Sequence, residues 1–498
     1  MNLILAIDAG TTGVTAQLVN ERGAVAGRGY HEFEQHFPAA GWVEHHPEQI
    51  WQATLASVRD ALAQATAGAP GGAHPVAIGV TNQRETVVFW NRSDLTAPRP
   101  AIVWQDRRTA KLLDSPKFAA AAEKVRTATG LPMDPYFSSS KLLWVKQNDP
   151  KTWRAVEAGQ VAVGTVDSYL IARITGGKSH ITDASNASRT QLFNLSTLSW
   201  DQELLDLFEV PRAALPTVTP SWGQLAQSDP TAFLGINAPI TGVAGDQHAA
   251  LFGQLAFAKG EAKCTYGTGA FLLQNTGSDI VLDDPKLIAT VAWLPPSGQP
   301  VYALEGSVFI AGAAVQWLRD GLKILDKASD LDPTAAQAPD SGGVIFVPAL
   351  SGLGAPFWDP NARGTLFGLT RATGKAQIAR ATIDAIAYEV RALVDAMAKA
   401  SGKPLKTLRT DGGAAASSLL LQTQADSLAI SVSRPANLET TALGAAYLAG
   451  LGAGVWASQD QLSQQIAAQE VFKPQPFDQA KYQRWLKAVA AVRQFAKV

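Results

Sequence analysis

The chain has 498 residues, of which 46% are hydrophobic and 17% charged, and its formal net charge is −1. These proportions are typical of globular proteins, and the charge balance gives no support to a nucleic-acid partner or to an anionic membrane surface held by bulk electrostatics. The single cysteine, Cys264, excludes an intrachain disulfide and a cysteine-based zinc cluster. Because the sequence has neither a leader-like start nor an apolar run of membrane-spanning length, we expect a cytoplasmic protein with no membrane insertion.

The N-terminal segment predicts a meander of three short strands, at residues 3–7, 14–19 and about 24–29. The corner between the first two strands reads DAGTTG. It is compatible with a plain hairpin turn, or with an anion-binding nest of backbone N–H groups and the hydroxyls of Thr11 and Thr12. In the second case Asp8 would lie beside the anion and could bind Mg²⁺, directly or through water.

This corner matches neither common phosphate loop. It lacks the lysine of a Walker loop, and the spacing G-x-G-x-x-G of a dinucleotide loop occurs nowhere in the sequence. The absence of that spacing argues against a dehydrogenase.

An amphipathic helix is predicted from Pro47 to about residue 65, and a buried strand at 76–80 leads into TNQRET. Alternating strands and helices indicate an α/β architecture with ligands at strand ends. In TNQRET, Arg84 and Glu85 are adjacent. They could form an exposed ion pair, or supply a donor and an acceptor to a polyol.

Two aromatic residues further along, Trp104 and Tyr136, could provide apolar walls with polar tips. The string GVAGDQHAALFG then places Asp246 at the start of a helix. A carboxylate there is usually a helix cap, but it could also act as the general base for a hydroxyl group.

The second half repeats the pattern of the first. Residues 263–275 predict strand, Gly-Thr-Gly turn and strand, a long helix extends through 378–397, and 405–429 predict strand, Gly-Gly turn and helix. The Gly-Gly turn could be a phosphate or nucleotide site, or only a turn before an Ala-rich helix. The repeat predicts two lobes with a cleft between them.

Taken together, these strings resemble the FGGY family of carbohydrate kinases from about residue 3 to residue 490. The resemblance is carried by DAGTTG, GWVEHHPEQIW, TNQRET, VWQDRRTA, DPYFSSSKLLW, TDASNASRTQLFNL, AGDQHAALFGQL, TYGTGAFLL, YALEGSVFIAGAAVQWLRD, GLGAPFWDPNARG and DGGAAAS. Within the family, TNQRET is typical of the members that act on glycerol.

The resemblance implies a two-lobed α/β fold of the actin and hexokinase (ribonuclease H-like) type, with the active site in the interlobe cleft. Residues 1–252 would form the polyol- and phosphate-binding lobe, and residues 253–498 the nucleotide-binding lobe. The implied reaction is phosphorylation of glycerol by ATP to sn-glycerol 3-phosphate with Mg²⁺, by a homodimer or homotetramer.

The resemblance also implies a role for individual residues. Asp246 would be the general base. The polyol would be bound by Arg84, Glu85, Trp104, Tyr136, Asp246, Gln247 and Phe271, the nucleotide by Thr11, Thr12, Gly13, Thr268, Gly312, Gln316, Gly413 and Ser417, and Mg²⁺ by Asp8 and Asp246.

The sequence departs from the family pattern at two positions. Thr15 occupies the position of an arginine near the phosphates, and Ser417 that of an asparagine after the Gly-Gly turn. The alternatives are a kinase for another short polyol or ketose, such as dihydroxyacetone, erythritol or xylulose, and an actin-like ATPase or scaffold. Asp246 with the Arg84–Glu85 pair favours a kinase, because a scaffold needs no polyol pocket.

Overall fold

The computed structural model describes residues 2–67, 73–466 and 470–497. The strands of the first half are β1 (Leu3–Ala9), β2 (Gly13–Asn20), β3 (Val25–Glu32), β4 (Glu44–His45), β5 (Pro75–Asn82), β6 (Val88–Asn91), β7 (Ala101–Ile102), β8 (Val161–Gly164), β9 (Ile181–Asp183), β10 (Phe193–Asn194), β11 (Ser199–Trp200), β12 (Thr217–Thr219), β13 (Trp222–Gln227) and β14 (Pro239–Gly245). Its helices are α1 (Pro47–Ala67), α2 (Ala110–Leu113), α3 (Pro116–Thr129), α4 (Ser138–Asn148), α5 (Pro150–Glu157), α6 (Val166–Ile174), α7 (Ala184–Ala187), α8 (Gln202–Phe208) and α9 (Asp246–Gly253).

The second half contains the remaining strands and helices. Its strands are β15 (Glu261–Tyr266), β16 (Ala270–Gly277), β17 (Ile288–Trp293), β18 (Val301–Val308), β19 (Ile345–Val347), β20 (Thr365–Phe367), β21 (Thr407–Asp411), β22 (Val432–Arg434) and β23 (Glu470–Phe472). Its helices are α10 (Gly312–Asp320), α11 (Leu331–Ala335), α12 (Lys375–Ser401), α13 (Ser418–Leu428), α14 (Thr440–Gly452), α15 (Gln459–Gln465) and α16 (Gln479–Phe495).

Each half of the chain is organised around one mixed sheet. The first sheet has the strand order β13-β14-β5-β1-β2-β3, and the second has the order β17-β18-β16-β15-β21-β22-β23. In both sheets an antiparallel meander (β1-β2-β3, and β15-β16-β18) is extended by two parallel strands (β5 and β14, and β21 and β22). This shared arrangement agrees with the repeat that the sequence predicts.

The parallel strands bring polar residues to one edge of the first sheet. β1, β5 and β14 run in register, with Ala9 beside Asn82 and Asn82 beside Gly245. Their carboxyl ends therefore place Asp8 and Asp246 at the same edge of the sheet, where ligands bind in α/β folds.

The predicted elements differ from the observed ones mainly at their ends. The third strand and the helix that begins at Pro47 extend two to three residues beyond their predicted ends, as β3 and α1. The Gly-Gly turn does not lead directly into a helix, because a 3₁₀ turn over Gly413–Ala416 separates it from α13. The two glycines therefore do not lie at an α-helix N-terminus.

Helix α14 follows the second sheet in the chain but packs against the first. It contacts β14, β5, β1 and helix α9. The two helices approach so closely that a Cβ added at Gly444 would lie 1.8 Å from the carbonyl oxygen of Ala249. Glycine is therefore required at this crossing, which holds the segment after β22 against the helix that begins at Asp246.

Helix α12 contains a buried carboxylate that predicts a pH-dependent stability. The Glu389 side chain is 4% exposed, its Oε1 atom has no hydrogen-bond partner among the described residues, and burial raises its pKa from 4.5 to about 8. Because the unfolded chain loses this proton near pH 4.5 and the folded chain near pH 8, the folded state loses stability as pH rises through this window. The loss is at most about 5 kcal/mol. Glu389→Gln is therefore expected to raise the melting temperature strongly at pH 8 and little at pH 5.

Thermal unfolding followed by circular dichroism at the two pH values measures this effect. The exposed Glu123 of α3 provides the control, since its replacement by glutamine should change the melting temperature little at either pH. An equal change for Glu389→Gln at pH 5 and pH 8 would contradict the assignment.

No helix in residues 2–67, 73–466 and 470–497 is long and apolar enough to cross a membrane.

Candidate active site

A cleft of about 800 Å³ is lined by residues from both halves of the chain. Nine of the predicted site residues line it: Thr11, Arg84, Glu85, Trp104, Tyr136, Asp246, Gln247, Thr268 and Phe271. The cleft therefore brings together all the residues predicted to bind the polyol and one predicted residue from each of two turns, which we call the first Gly-Thr corner (residues 10–13) and the second (residues 267–269).

The floor of the cleft is a buried network of alternating charges. Arg84 donates from Nη1 and Nη2 to the two carboxylate oxygens of Glu305, at 2.6 and 3.2 Å. Arg189 donates to Glu85 at 2.7 Å and to Glu305 at 3.1 Å. Burial alone would raise the pKa of Glu305, but Arg189 and Arg84 hold it below its ordinary value. Glu305 is therefore a fixed negative charge that positions both guanidinium groups.

The Arg84–Glu85 pair is not the exposed ion pair that the sequence left open. The two side chains are 3% and 1% exposed, and Arg84 Nε lies 4.0 Å from Glu85 Oε1. Glu85 adopts a left-handed backbone conformation, with φ of 62°, in a tight turn where Thr86 N–H donates to the Arg84 carbonyl. This uncommon backbone conformation turns the two neighbouring side chains toward different partners. Glu85 pairs mainly with Arg189, and Arg84 pairs with Glu305.

Asp246 lies at the start of α9, with its side chain at the edge of the cleft. It is the first residue of α9, one position after the N-cap residue Gly245, and its Oδ1 accepts the backbone N–H of the next residue, Gln247, at 2.6 Å rather than capping the helix from the N-cap position. The same oxygen lies 3.0 Å from Arg84 Nε. Oδ2 forms no hydrogen bond with the described part of the chain, and the side chain is 27% exposed. One oxygen is thus anchored while the other is available to a ligand in the cleft.

An aromatic wall connects the polyol side of the cleft to the first Gly-Thr corner. Trp104 and Tyr136 meet edge to face with ring centroids 5.6 Å apart, and Trp104 Nε1 donates to Thr11 Oγ1 at 3.0 Å. The Tyr136 segment is held from behind by the buried Lys141, whose Nζ donates to the backbone carbonyls of residues 135–137. These contacts fix the wall on both sides, and the Trp104 N–H orients the Thr11 hydroxyl.

Four of the remaining nucleotide candidates lie around the second corner, outside the cleft lining: Gly312, Gln316, Gly413 and Ser417. The Thr268 carbonyl accepts the N–H groups of Ala311 and Ala313, and Gly312 N–H donates to the Gly267 carbonyl, so this corner is fixed to the start of α10. Gln316 lies on the same helix, one turn further on.

On the other side of the second corner, the 3₁₀ turn that includes Gly413 precedes Ser417. Ser417 caps α13, with its hydroxyl accepting Leu420 N–H and donating to Asp332. In the first corner, Gly10 N–H donates to the carbonyl of Gly13, and Phe33 N–H to that of Thr12. The structure thus places the predicted nucleotide residues on two corners and on the elements that follow the second one.

The carboxylate of Asp8 has the properties expected beside a bound cation. It forms no hydrogen bond within the described ranges, and its pKa is raised to about 8 by burial and by the charges of Asp246 and Glu439. No group of three or more His, Cys, Asp or Glu side chains in the described residues could enclose a metal ion. Mg²⁺ in kinases is usually held by only one or two carboxylates and by substrate phosphates. The residues present therefore fit Mg²⁺ bound together with a nucleotide.

Sequence reasoning did not single out Glu305, Arg189 or Lys263. The first two lie in the strings YALEGSV and NASRTQ, but no local pattern indicates that their charges meet at the floor of the cleft. Lys263 lies in a strand, where a buried lysine is unexpected, and donates to the Gln247 side chain. Because polar and apolar residues alternate along this strand, EAKCTY, the sequence gives no signal that Lys263 is buried.

Comparisons with known proteins show the family to which the chain belongs. The family models for the N-terminal and C-terminal domains of the FGGY family of carbohydrate kinases match residues 3–253 and 262–453. The chain is 49% identical to glycerol kinase from Aromatoleum aromaticum, with 99% of each chain covered. It is 46% identical to glycerol kinase 2 from Sulfolobus acidocaldarius, with 99% of this chain and 98% of that one covered.

Solved structures show the same fold. The crystal structure of Plasmodium falciparum glycerol kinase with ADP matches with a TM-score of 0.92 and 34% identity, covering 99% of this chain and 98% of that chain. Xylulose kinase from Lactobacillus acidophilus matches with a TM-score of 0.86 and 25% identity, covering 100% and 99%. The predicted two-lobed α/β fold is confirmed.

Proposed function

Because the chain belongs to the FGGY family of carbohydrate kinases, we propose that it transfers the terminal phosphoryl group of ATP to a primary hydroxyl of glycerol, giving sn-glycerol 3-phosphate. The observation that supports this most directly is the free Oδ2 of Asp246, which faces a cleft that also contains the Arg84–Glu305 network and an aromatic wall.

The cleft offers a polyol both kinds of hydrogen-bonding group. Arg84 uses one N–H of each Nη atom for Glu305, which leaves a second hydrogen on each for a hydroxyl oxygen. Glu85 can accept a hydroxyl hydrogen through its second oxygen. Trp104 and Phe271 would pack against the carbon chain and limit its length.

Asp246 would orient the reacting hydroxyl and take its proton as the new bond to phosphorus forms. Its anchored oxygen fixes the direction of the free one, so that the base needs no reorientation at the moment of reaction. Such a base contributes roughly 10²–10⁴-fold to the rate, and positioning and charge stabilisation supply most of the rest.

The two Gly-Thr corners would hold the triphosphate between the lobes. Thr11, Thr12 and Gly13 contribute one corner, and Thr268 contributes the other. Gly312, Gln316, Gly413 and Ser417 would contact the rest of the nucleotide. Asp8 and Asp246 would hold Mg²⁺, directly or through water. When bound, Mg²⁺ offsets the charge on the phosphate oxygens. Residues 1–252 would thus bind polyol and phosphate, and residues 253–498 the nucleotide.

A coupled ADP-release assay with glycerol, dihydroxyacetone, erythritol and xylulose tests the choice of substrate. We expect kcat/KM to be highest for glycerol and lowest for the five-carbon ketose. A higher value for xylulose would assign the chain to another specificity in the same family. The expected homodimer or homotetramer can be measured in parallel by sedimentation.

Trp104→Phe separates the hydrogen bond of the wall from its apolar surface. Phenylalanine retains the ring but cannot donate to Thr11, so the hydroxyl of the first corner loses its fixed orientation. We expect kcat/KM for ATP to fall roughly 3- to 10-fold, the effect of one lost hydrogen bond. Steady-state kinetics at saturating glycerol measure this.

Trp153→Phe provides a matched control. It also removes an indole N–H, which donates to Glu157 Oε1 at 3.0 Å on α5 and therefore outside the cleft. Equal losses for the two variants would show that the Trp104–Thr11 contact has no specific role.

A further inference from the structure

Gln247 follows Asp246 in the chain, and its side chain lines the cleft. A primary amide can present either its oxygen, which accepts, or its NH₂ group, which donates twice. Which end faces a substrate decides whether the residue complements a hydroxyl hydrogen or an oxygen lone pair. The neighbours of the amide on its other side must therefore determine the role of Gln247.

Lys263 is that neighbour. It lies on β15, in the second sheet, and its side chain is fully buried. Its Nζ donates to Gln247 Oε1 and, at 2.9 Å, to Thr265 Oγ1. An ammonium group has only donors, so the amide must turn its oxygen toward Lys263. This conclusion does not depend on how the amide atoms are assigned, because the opposite orientation would set N–H against N–H.

The other end of the amide is free. Gln247 Nε2 forms no hydrogen bond with any described residue, and the side chain is only partly buried. Both of its hydrogens are therefore available to the cleft. The same cleft is lined by two carboxylates, of Asp246 and Glu85, that can only accept when ionised.

We propose that Lys263 is a positioning residue that locks the Gln247 amide with its NH₂ group toward the polyol. Gln247 then donates to a hydroxyl oxygen, while the neighbouring carboxylates accept hydroxyl hydrogens. This role rests on the proposed function of the cleft as a polyol kinase site. The hydrogen bond from Lys263 to Gln247 also connects the two halves of the chain, because it joins β15 of the second sheet to α9.

A purely structural lysine would behave differently. Lys263 also experiences the charges of Asp411 and Asp246, so its removal could weaken the fold or the nucleotide side without involving Gln247. If Lys263 acts by positioning Gln247, replacing Lys263 should change the glycerol KM only when the Gln247 amide is present. If Lys263 is purely structural, the change in KM should not depend on that amide. A double-mutant cycle measures this dependence.

The cycle consists of the full-length wild type, Lys263→Met, Gln247→Leu and the double variant, assayed with glycerol and ATP. We expect Lys263→Met to raise the glycerol KM about 5- to 30-fold, with kcat and the ATP KM changed less than about 3-fold. In the Gln247→Leu background the same change should alter the glycerol KM less than about 2-fold.

If Lys263→Met raised the glycerol KM by the same factor in the wild-type and Gln247→Leu backgrounds, the proposal would be overturned. Lys263→Gln replaces Lys263→Met if the latter does not fold, with a smaller rise in KM expected that again vanishes in the Gln247→Leu background. Turnover of the wild type is a separate result. If the wild type phosphorylates another polyol and not glycerol, the proposed substrate is wrong, and the double-mutant cycle is then measured with that polyol.

Discussion

Asp246→Asn is expected to lower kcat for glycerol by roughly 10²–10⁴-fold, the usual contribution of a positioned general base. Asparagine can still accept the Gln247 N–H through its amide oxygen, so the start of α9 is preserved. The group that faces the alcohol, however, can no longer take a proton. Stopped reactions with radiolabelled ATP measure turnover over this range.

Glycerol binding is the control for this variant. Because the Arg84–Glu305 network and the aromatic wall remain, calorimetry should give a glycerol Kd within a few-fold of the wild-type value. A variant that binds glycerol and turns over at the wild-type rate would exclude Asp246 as the base. A variant that fails to bind glycerol would indicate that Asp246 contributes mainly to affinity.

Arg84→Ala should have the second large effect, on affinity and stability together. The change removes two hydrogen bonds to Glu305 and the ion pair with Asp246, and it leaves the buried Glu305 with Arg189 as its remaining partner. Breaking a buried ion pair from one side typically costs about 3–5 kcal/mol of stability. The glycerol KM should rise about 10- to 100-fold, because hydrogen bonds from a charged donor are lost. Steady-state kinetics and chemical denaturation measure the two effects.

An exposed ion pair provides the comparison. Lys124 and Glu203 pair at 2.5 Å, with side chains 55% and 70% exposed, so Lys124→Ala should change stability by less than about 1 kcal/mol and leave the glycerol KM unchanged. An Arg84→Ala variant with the wild-type glycerol KM would place the polyol elsewhere in the molecule.

Local patterns were sufficient to predict the elements that carry the site. Short apolar runs predicted β1 and β2, the helical spacing after Pro47 predicted α1, and the Gly-flanked acid predicted the start of α9. These features depend on a few neighbouring residues, so sequence periodicity contains them. The adjacency of Arg84 and Glu85 was visible for the same reason.

The partners of those residues could not be predicted in this way. Arg84 meets Glu305 across 221 positions of the chain, and Ser417 meets Asp332 across 85. Such contacts depend on how the two sheets and the helices between their strands pack together. A single sequence contains no local signal for that packing. The buried charge network, the side of Gln247 that faces the cleft and the Asp332 partner of Ser417 therefore came only from the structure.

In the proposed function the cleft couples ATP to a bound polyol, and the ratio of ADP released to glycerol phosphate formed by the wild-type protein measures this coupling. Phosphorus NMR of a reaction with ATP, Mg²⁺ and glycerol measures both products. We expect one glycerol phosphate per ADP, with phosphate only on a terminal carbon, and very little ADP when glycerol is omitted. Equal ADP release with and without glycerol, accompanied by inorganic phosphate, would show an ATPase and contradict the account.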